Sequence, residues 1–359
     1  MGGLISKFDY WETSHCLVDR ETGQRINEPL PFPQAFRRAF LYSTPLGHMV
    51  LSFPPSWWII GWQHKRLATY ANSPRSKKDI QQLIKDYNID TSSSEKPVEE
   101  FATLQEFFAR KLKPELRPIS QPDDPRLAVM PADSRCVVYD SVDSAHRFWI
   151  KGRHFSVPAL LGLPAGAHTP WDDCNIAINR QACKAYKGSC FFYVRFARDA
   201  GLAPMDCHRL HACTPGRVAR ISMHGRRFMG SEWAATHSSM NVMAENERMV
   251  MEIDSPEFGP VVQVMIGASD VGSIVSLVKE GQTVRKADEV AYFGFGGSMM
   301  ATLFVSGSIE FEPDLRKHTA ASCETRVNYG SPLGRATGHG RQAPAEPGQQ
   351  QQQQPQPRE

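Results

Sequence analysis

The sequence predicts an α+β fold in which helices come first and a β-rich domain follows. From about Leu127 to Phe311 the chain carries short runs of β-branched and aromatic residues, among them Phe191–Val194, Met249–Ile253, Val261–Ile266 and Glu289–Phe293. Ahead of them Leu104, Phe107, Phe108 and Leu112 recur at helical spacing behind a Thr103/Glu106 capping box, an apolar stripe that reads as core. Size agrees with both. A chain of 359 residues, 41% of them hydrophobic, buries one large core or two smaller ones, which excludes a disulfide miniprotein, a fibrous repeat and a wholly disordered chain. Charge excludes more: 41 basic against 38 acidic residues leave a formal +3, too balanced for a dedicated nucleic-acid binder.

The first element is an N-terminal arm and linker, residues 1–100. It opens with Gly2 and Ser6 in the myristoylation pattern, and Asp9 and Glu12 argue against a mitochondrial presequence. Ala39 to His64 contains no Asp, Glu, Lys or Arg but carries Phe40, Tyr42, Phe53, Trp57, Trp58 and Trp62. Pro45, Pro54 and Pro55 interrupt it, so no run of about 18 apolar residues survives to cross a membrane. Aromatic side chains favour the headgroup level, and Arg37, Arg38, Lys65 and Arg66 flank them. The segment therefore reads as lying on a membrane, as a peripheral element facing the cytosol. An arm packed on the next domain through the same aromatics is the other reading. Residues 88–100 are polar and Ser-rich, as a linker would be.

The β-rich domain occupies residues 101–318. Asp254–Gly259 is predicted to turn one hairpin. Glu280–Val284 with Lys286–Glu289 resembles a lipoyl-type hammerhead, which leaves open a non-catalytic carrier or scaffold using Lys286. Residues 319–359 form a tail rich in Gly, Pro, Gln and Ala, with Gln349 to Gln354 consecutive, and are expected to be disordered. The eight cysteines, at 16, 136, 174, 183, 190, 207, 213 and 323, contain no C-x-x-C pair and are expected to be reduced thiols of a cytosol-facing protein.

Three clusters carry candidate chemistry: Pro131-Ala132-Asp133, the run Leu202–His211 containing Asp206, Cys207, His208 and His211, and Phe293–Ser298. An acid, a histidine and a serine are the parts of an activated nucleophile. Ser298 is not in a G-x-S-x-G elbow, and no Lys follows the glycines as a phosphate loop requires. Gly296 and Gly297 directly before it leave the backbone free to bring Oγ onto the Gly297 carbonyl, although a glycine-rich turn between strands also fits. His208, His211, Cys207 and Cys213 lack paired ligand spacing, so no metal is expected.

Taken in order, these clusters resemble the phosphatidylserine decarboxylases, a pyruvoyl-dependent family. The resemblance extends from about Phe101 to Phe311. It includes Phe107–Arg110, Leu116–Ile119, Pro131–Asp133, Lys151-Gly152, Leu160–Gly162, Leu202–Pro204, Asn246–Arg248, Gly267-Ala268 and Phe295–Ser298. The Pro-Ala-Asp-Ser-Arg form is similar to the second, largely eukaryotic type. The resemblance implies a zymogen that cuts itself between Gly297 and Ser298, leaving a smaller chain of 62 residues headed by a pyruvoyl group made from Ser298. His211, oriented by Asp133, would serve as base for the cut, and His208 would stabilise or protonate the decarboxylated intermediate. It further implies a phospholipid substrate at a membrane surface, two chains that stay together, and a homodimer. Cys207 replaces a usual Tyr, and Gly296-Gly297-Ser298-Met299 replaces a usual Leu-Gly-Ser-Thr, changes that bear on substrate more than on maturation. Decarboxylation of a free amino acid is the alternative within enzymes.

Overall fold

The computed structural model describes residues 16–26, 40–41, 44–87, 89–148, 155–164, 166–181, 207–230, 235, 240–268, 274–294 and 298–339. The expectations for Gly2, Phe191–Val194, Gly297 and the last twenty residues fall outside them.

In chain order the strands are β1 (Leu17–Asp19), β2 (Arg25–Ile26), β3 (Leu127–Val129), β4 (Ser134–Tyr139), β5 (Asn175–Arg180), β6 (Arg209–His211), β7 (Gly216–His224) and β8 (Arg248–Ser255). There follow β9 (Gly259–Gly267), β10 (Ile274–Ser276), β11 (Thr283–Val284), β12 (Glu289–Phe293), β13 (Ser298–Phe304), β14 (Ile309–Phe311), β15 (Glu324–Val327) and β16 (Pro332–Ala336). The helices are α1 (Pro45–Ser52), α2 (Pro54–Ala71), α3 (Ile80–Tyr87), α4 (Leu104–Phe108), α5 (Val142–Phe148), α6 (Val157–Leu161), α7 (Val242–Glu245) and α8 (Pro313–Ala320). The fold class is α+β.

A ten-stranded sheet runs β11-β7-β8-β9-β13-β5-β4-β15-β1-β2, and two three-stranded sheets run β10-β12-β6 and β14-β16-β3. β13 lies inside the large sheet between β9 and β5. Its side chains alternate: Met299, Ala301 and Leu303 join one core, while Met300 and Phe304 belong to two others. Both faces are thus buried, which is why the segment reads as continuously apolar. The first core lies under α5, α6 and α7 and includes Leu160, Trp171, Ile178 and Val264. The second, with Phe258, Phe304, Phe311 and Leu315, is closed by α8 and the β14-β16-β3 sheet. The third joins the β10-β12-β6 sheet to the large one through Leu210, Phe293, Met251 and Met265. The predicted hairpin forms with Ser255 opposite Gly259.

The prolines that exclude a membrane span are helix starts. Thr44 Oγ1 accepts the Gly47 amide at 3.0 Å to cap α1, with Pro45 in the first turn. Phe53, extended before Pro54, ends α1, and Pro54 opens α2. Among the described residues no helix is long and apolar enough to cross a membrane. Leu41 and Leu51 pack on the first core. Met49, Phe53, Trp58, Ile59 and Trp62 are exposed instead, Trp58 at 75%. The Thr103 cap forms as predicted, with Thr103 Oγ1 accepting the Glu106 amide at 3.1 Å and Glu106 Oε2 accepting the Ala102 amide at 2.9 Å. The helix it starts is short, and Leu112 instead bridges to Ser94.

Four expectations are corrected. The arm is not separate from the domain: residues 17–26 supply β1 and β2 of the large sheet. The linker is folded, with 3-10 turns at Thr91–Ser93 and Val98–Glu100. The tail expected to be disordered from residue 319 supplies β15 and β16, with Cys323, Thr325 and Leu333 buried. Cys16 and Cys323 form a disulfide, whereas Cys136, Cys174, Cys207 and Cys213 are free and buried. Composition misled in the tail because Glu324, the acidic residue of β15, is buried against Arg180, whose Nε donates to it at 3.0 Å. The carrier reading loses its lysine: the Lys286 ammonium donates to the carbonyls of Gln121, Asp124 and Leu127 and is not exposed.

Candidate active site

One end of the large sheet gathers the predicted residues. Across it Arg135 of β4 faces Arg180 of β5, Arg180 faces Met299 of β13, and Met299 faces Ile266 of β9. Ser298 therefore heads β13 opposite Gly267, and Asp133 directly precedes β4 at this same end. Asn246 fixes the neighbouring corner, its Nδ2 donating to the Gly267 carbonyl at 2.8 Å.

β6, which carries the histidines, is held over this end from the small sheet. It pairs with β12, placing Arg209 opposite Tyr292 and His211 opposite Glu289. The His211 amide donates to Pro131 O at 2.9 Å, and Gln263 Nε2 donates to His211 O at 3.0 Å. Gln181, just past β5, donates from Nε2 to Cys207 O at 2.9 Å. These bonds tie both histidines to the ends of β4 and β5. The chain passes from β12 in the small sheet to β13 in the large one through residues 294–297, so the expected cut lies where two sheets are joined.

His211 is 3% exposed, and its Nδ1 lies 3.1 Å from Pro131 O. A carbonyl only accepts, so Nδ1 carries the hydrogen and Nε2 keeps the lone pair. Burial pushes the imidazole below its ordinary value. A neutral ring with a free Nε2 is what a general base needs.

No described hydrogen bond joins Asp133 to that ring, although the Asp133 charge favours its protonated form. Its carboxylate takes the forked Arg117 guanidinium, Nε to Oδ1 at 2.9 Å and Nη2 to Oδ2 at 2.7 Å, and accepts the Tyr329 amide at 2.8 Å. The Tyr329 ring stacks on His211 with centroids 4.0 Å apart and planes 11° from parallel. Asp133, expected to orient His211, thus reaches it by charge and through the Tyr329 ring. Burial pushes the Tyr329 phenol up to about 12, so it stays protonated. Gly330 makes the approach possible: its φ is +81°, and a Cβ there would lie 2.7 Å from Ile119 Cδ1.

His208 is 1% exposed, its ring against Phe108 at 4.0 Å between centroids. Phe293, last of β12, donates its amide to His208 O at 3.1 Å. Burial pushes the neighbouring Cys207 thiol up to about 12. A cleft of about 440 Å3 opens beside His211 and Tyr329, lined also by Lys111, Arg117, Arg209 and Glu289. Arg209 Nη1 donates to Glu289 Oε2 at 2.6 Å and Lys111 lies 3.2 Å from the same oxygen, so the cleft carries both signs of charge. Among the described residues no three or more His, Cys, Asp or Glu gather as a metal site.

Sequence reasoning missed the roles of Arg117 and Tyr329. Arg117 stood in a recognised run without a role, and Tyr329 stood in the supposed tail, where the Asn328-Tyr329-Gly330 turn signal was its one trace.

The profile of the phosphatidylserine decarboxylase family matches residues 104–335. The chain is 37% identical over 263 residues to phosphatidylserine decarboxylase proenzyme 3 of Schizosaccharomyces pombe, covering 73% of this chain and 25% of that protein. It is 35% identical over 329 residues to proenzyme 2 of Oryza sativa subsp. japonica, covering 90% and 49% respectively. The chain thus spans a quarter to a half of the length of these two relatives. Against the phosphatidylserine decarboxylase proenzyme of Chlamydia pneumoniae it is 31% identical over 326 residues, covering 89% of this chain and 96% of that one. With its profile matched across both the strands and the sheet end described above, the chain belongs to the phosphatidylserine decarboxylase family.

Proposed function

We propose that the chain is the proenzyme of a pyruvoyl-dependent decarboxylase that cuts itself between Gly297 and Ser298 and converts phosphatidylserine to phosphatidylethanolamine and CO2 at a membrane surface. The observation that carries this is a buried, neutral His211 whose Nε2 has no partner among the described residues, stitched to the sheet end at which Ser298 begins β13. In the cut, Ser298 Oγ loses its proton to the base and attacks the Gly297 carbonyl. The acyl group moves from nitrogen to oxygen, and elimination of the resulting ester leaves a carboxylate on Gly297. The residue left from Ser298 then gives up its nitrogen as ammonia to water, which makes the ketone.

The residues present suit such a group: two buried imidazoles stand at this sheet end, in a site whose Cys207 thiol is held protonated. Once formed, the group supplies a ketone that takes the substrate amine and accepts the electron pair left by departing CO2. His208 returns a proton to the substrate carbon. Arg117, Lys111, Arg209 and Glu289 orient a headgroup that carries both charges.

Membrane association is supported by α1 and α2, where Leu46, Met49, Val50, Phe53, Trp58, Ile59 and Trp62 are exposed. Residues 39–78 contain no acid and five cations, and Arg66 lies 4.6 Å from the Trp62 ring centroid. Association is peripheral. The cytosol-facing side rested on eight reduced thiols, and the Cys16–Cys323 pair removes that premise.

Intact mass tests the cut: chains of 297 and 62 residues are expected, with Ser298→Ala remaining at 359. A wild-type chain that stays whole sinks the reading. Cys207, in the cleft wall where relatives usually have Tyr, favours a free amino acid as second substrate class. Turnover of free amino acids with none on phosphatidylserine vesicles would select it.

A further inference from the structure

We propose that the Cys16–Cys323 disulfide is the covalent link between the two chains that maturation produces, an inference that rests on the cut between Gly297 and Ser298. Cys16 belongs to the larger chain and Cys323 to the smaller, of which it is the sole cysteine. Any disulfide that joins the two products must therefore use Cys323.

The bond is supported by a strap built around it. β1 runs parallel to β15, with Leu17 opposite Glu324 and Val18 opposite Thr325. The Glu324 amide donates to Cys16 O at 2.8 Å, next to the bonded sulfurs. Arg20 forks onto Asp314 at 2.7 and 3.0 Å and donates to Pro332 O at 2.6 Å. Asn328 donates to Glu21 Oε1 at 2.7 Å. The described hydrogen bonds that residues 16–26 make beyond themselves all reach residues 314–332, on the smaller chain. The strap thus reaches past its own chain to grip the fragment that carries Ser298.

Among the described cysteines oxidation here is selective. Cys136, Cys174, Cys207 and Cys213 are buried, and burial pushes each thiol up to about 12, where little thiolate forms. Forming the bond removes two protons and two electrons from the Cys16 and Cys323 thiols. A low-molecular-weight disulfide of the glutathione class accepts both electrons by exchange and leaves as two thiols. Joined, the chains remain one molecule at any dilution. Reduced, their association becomes a two-body equilibrium that depends on concentration.

The test uses the full-length protein purified without reductant, blocked with N-ethylmaleimide and denatured, alongside Cys323→Ser and Ser298→Ala. Without dithiothreitol the wild type is expected to run as one species carrying both chains, and with it as chains of 297 and 62 residues. Cys323→Ser is expected to separate without reductant. Separation of the wild type without reductant, with Cys323 blocked, overturns the tether. A chain that stays whole with reductant overturns the cut, and the tether with it. The bond is read separately by trypsin, as peptide Phe8–Arg20 joined to His318–Arg326 with the loss of two hydrogens. Its presence in Ser298→Ala upholds the bond whatever the fate of the cut, and its absence overturns it.

Discussion

The sheet-end site and the face of α1 and α2 invert each other. At the site charged groups lie inside: Asp133 is 2% exposed and forked by Arg117, and Arg209 pairs with Glu289 in the adjoining cleft. On the helical face the apolar groups lie outside, Trp58 at 75% and Met49 at 61%. Folding alone favours neither arrangement, because buried charge loses its hydration and exposed tryptophan keeps apolar surface in water. Each is tolerable when it is matched, by paired charges in one region and, on the proposed reading, by a lipid surface in the other. The difference teaches where to look for chemistry and where for binding, and it separates mutations that stop one from mutations that stop the other.

The sharpest break is at the base. His211→Ala is expected to slow self-cleavage roughly 10²- to 10⁴-fold, followed as loss of full-length chain on denaturing gels, while vesicle binding is unchanged. Cleavage at the wild-type rate would remove His211 from the mechanism. Next, Arg117→Ala strands the Asp133 carboxylate in the interior, with an expected loss of about 3 kcal/mol of stability by denaturant titration. A parallel charge swap in the exposed Arg217–Asp254 pair is expected to move stability by well under about 1 kcal/mol.

On the other region, Trp58→Ser is expected to weaken binding to anionic vesicles about tenfold in sedimentation while leaving cleavage intact. Equal binding would return the aromatics to a packing role. Tyr329→Phe keeps the ring on His211 and is expected to change little, whereas Tyr329→Ala loses a stack worth about 1 kcal/mol and slows cleavage several-fold. The smallest effect is in pH. Because burial holds His211 below its ordinary value, cleavage is expected to persist to a lower pH than a free imidazole would allow, read from rates between pH 7.5 and 5. Stability moves the other way: the unfolded chain takes up the proton first, so stability falls as pH drops below 6.5, which thermal melts at pH 7.5 and 5.5 would detect.

Much of this was legible in the sequence where local rules act alone. The Thr103 cap, the turn between β8 and β9 and the extent of β12 depend on neighbours a few residues away. What escaped depends on partners far along the chain. Glu324 makes β15 look polar until Arg180, 144 residues earlier, is seen to neutralise it. Tyr329 looks like tail until Asp133 holds its amide across 196 residues. Cys16 and Cys323 lie 307 residues apart, a distance no spacing rule can read. The acid, the histidines and the serine were all named, yet their wiring was not, because Asp133 reaches His211 through a ring that local sequence assigned to nothing.

The interior position of β13 carries one more consequence. Chain ends ordinarily fray, lie at the surface and are the least ordered part of a domain. Synthesis would have difficulty delivering a free end to the middle of a ten-stranded sheet, bonded on one side to β9 and on the other to β5. A cut made after folding manufactures such an end in place. Under the proposed cut the reactive group would sit on a terminus with the rigidity of a central strand, with the precursor as its scaffold.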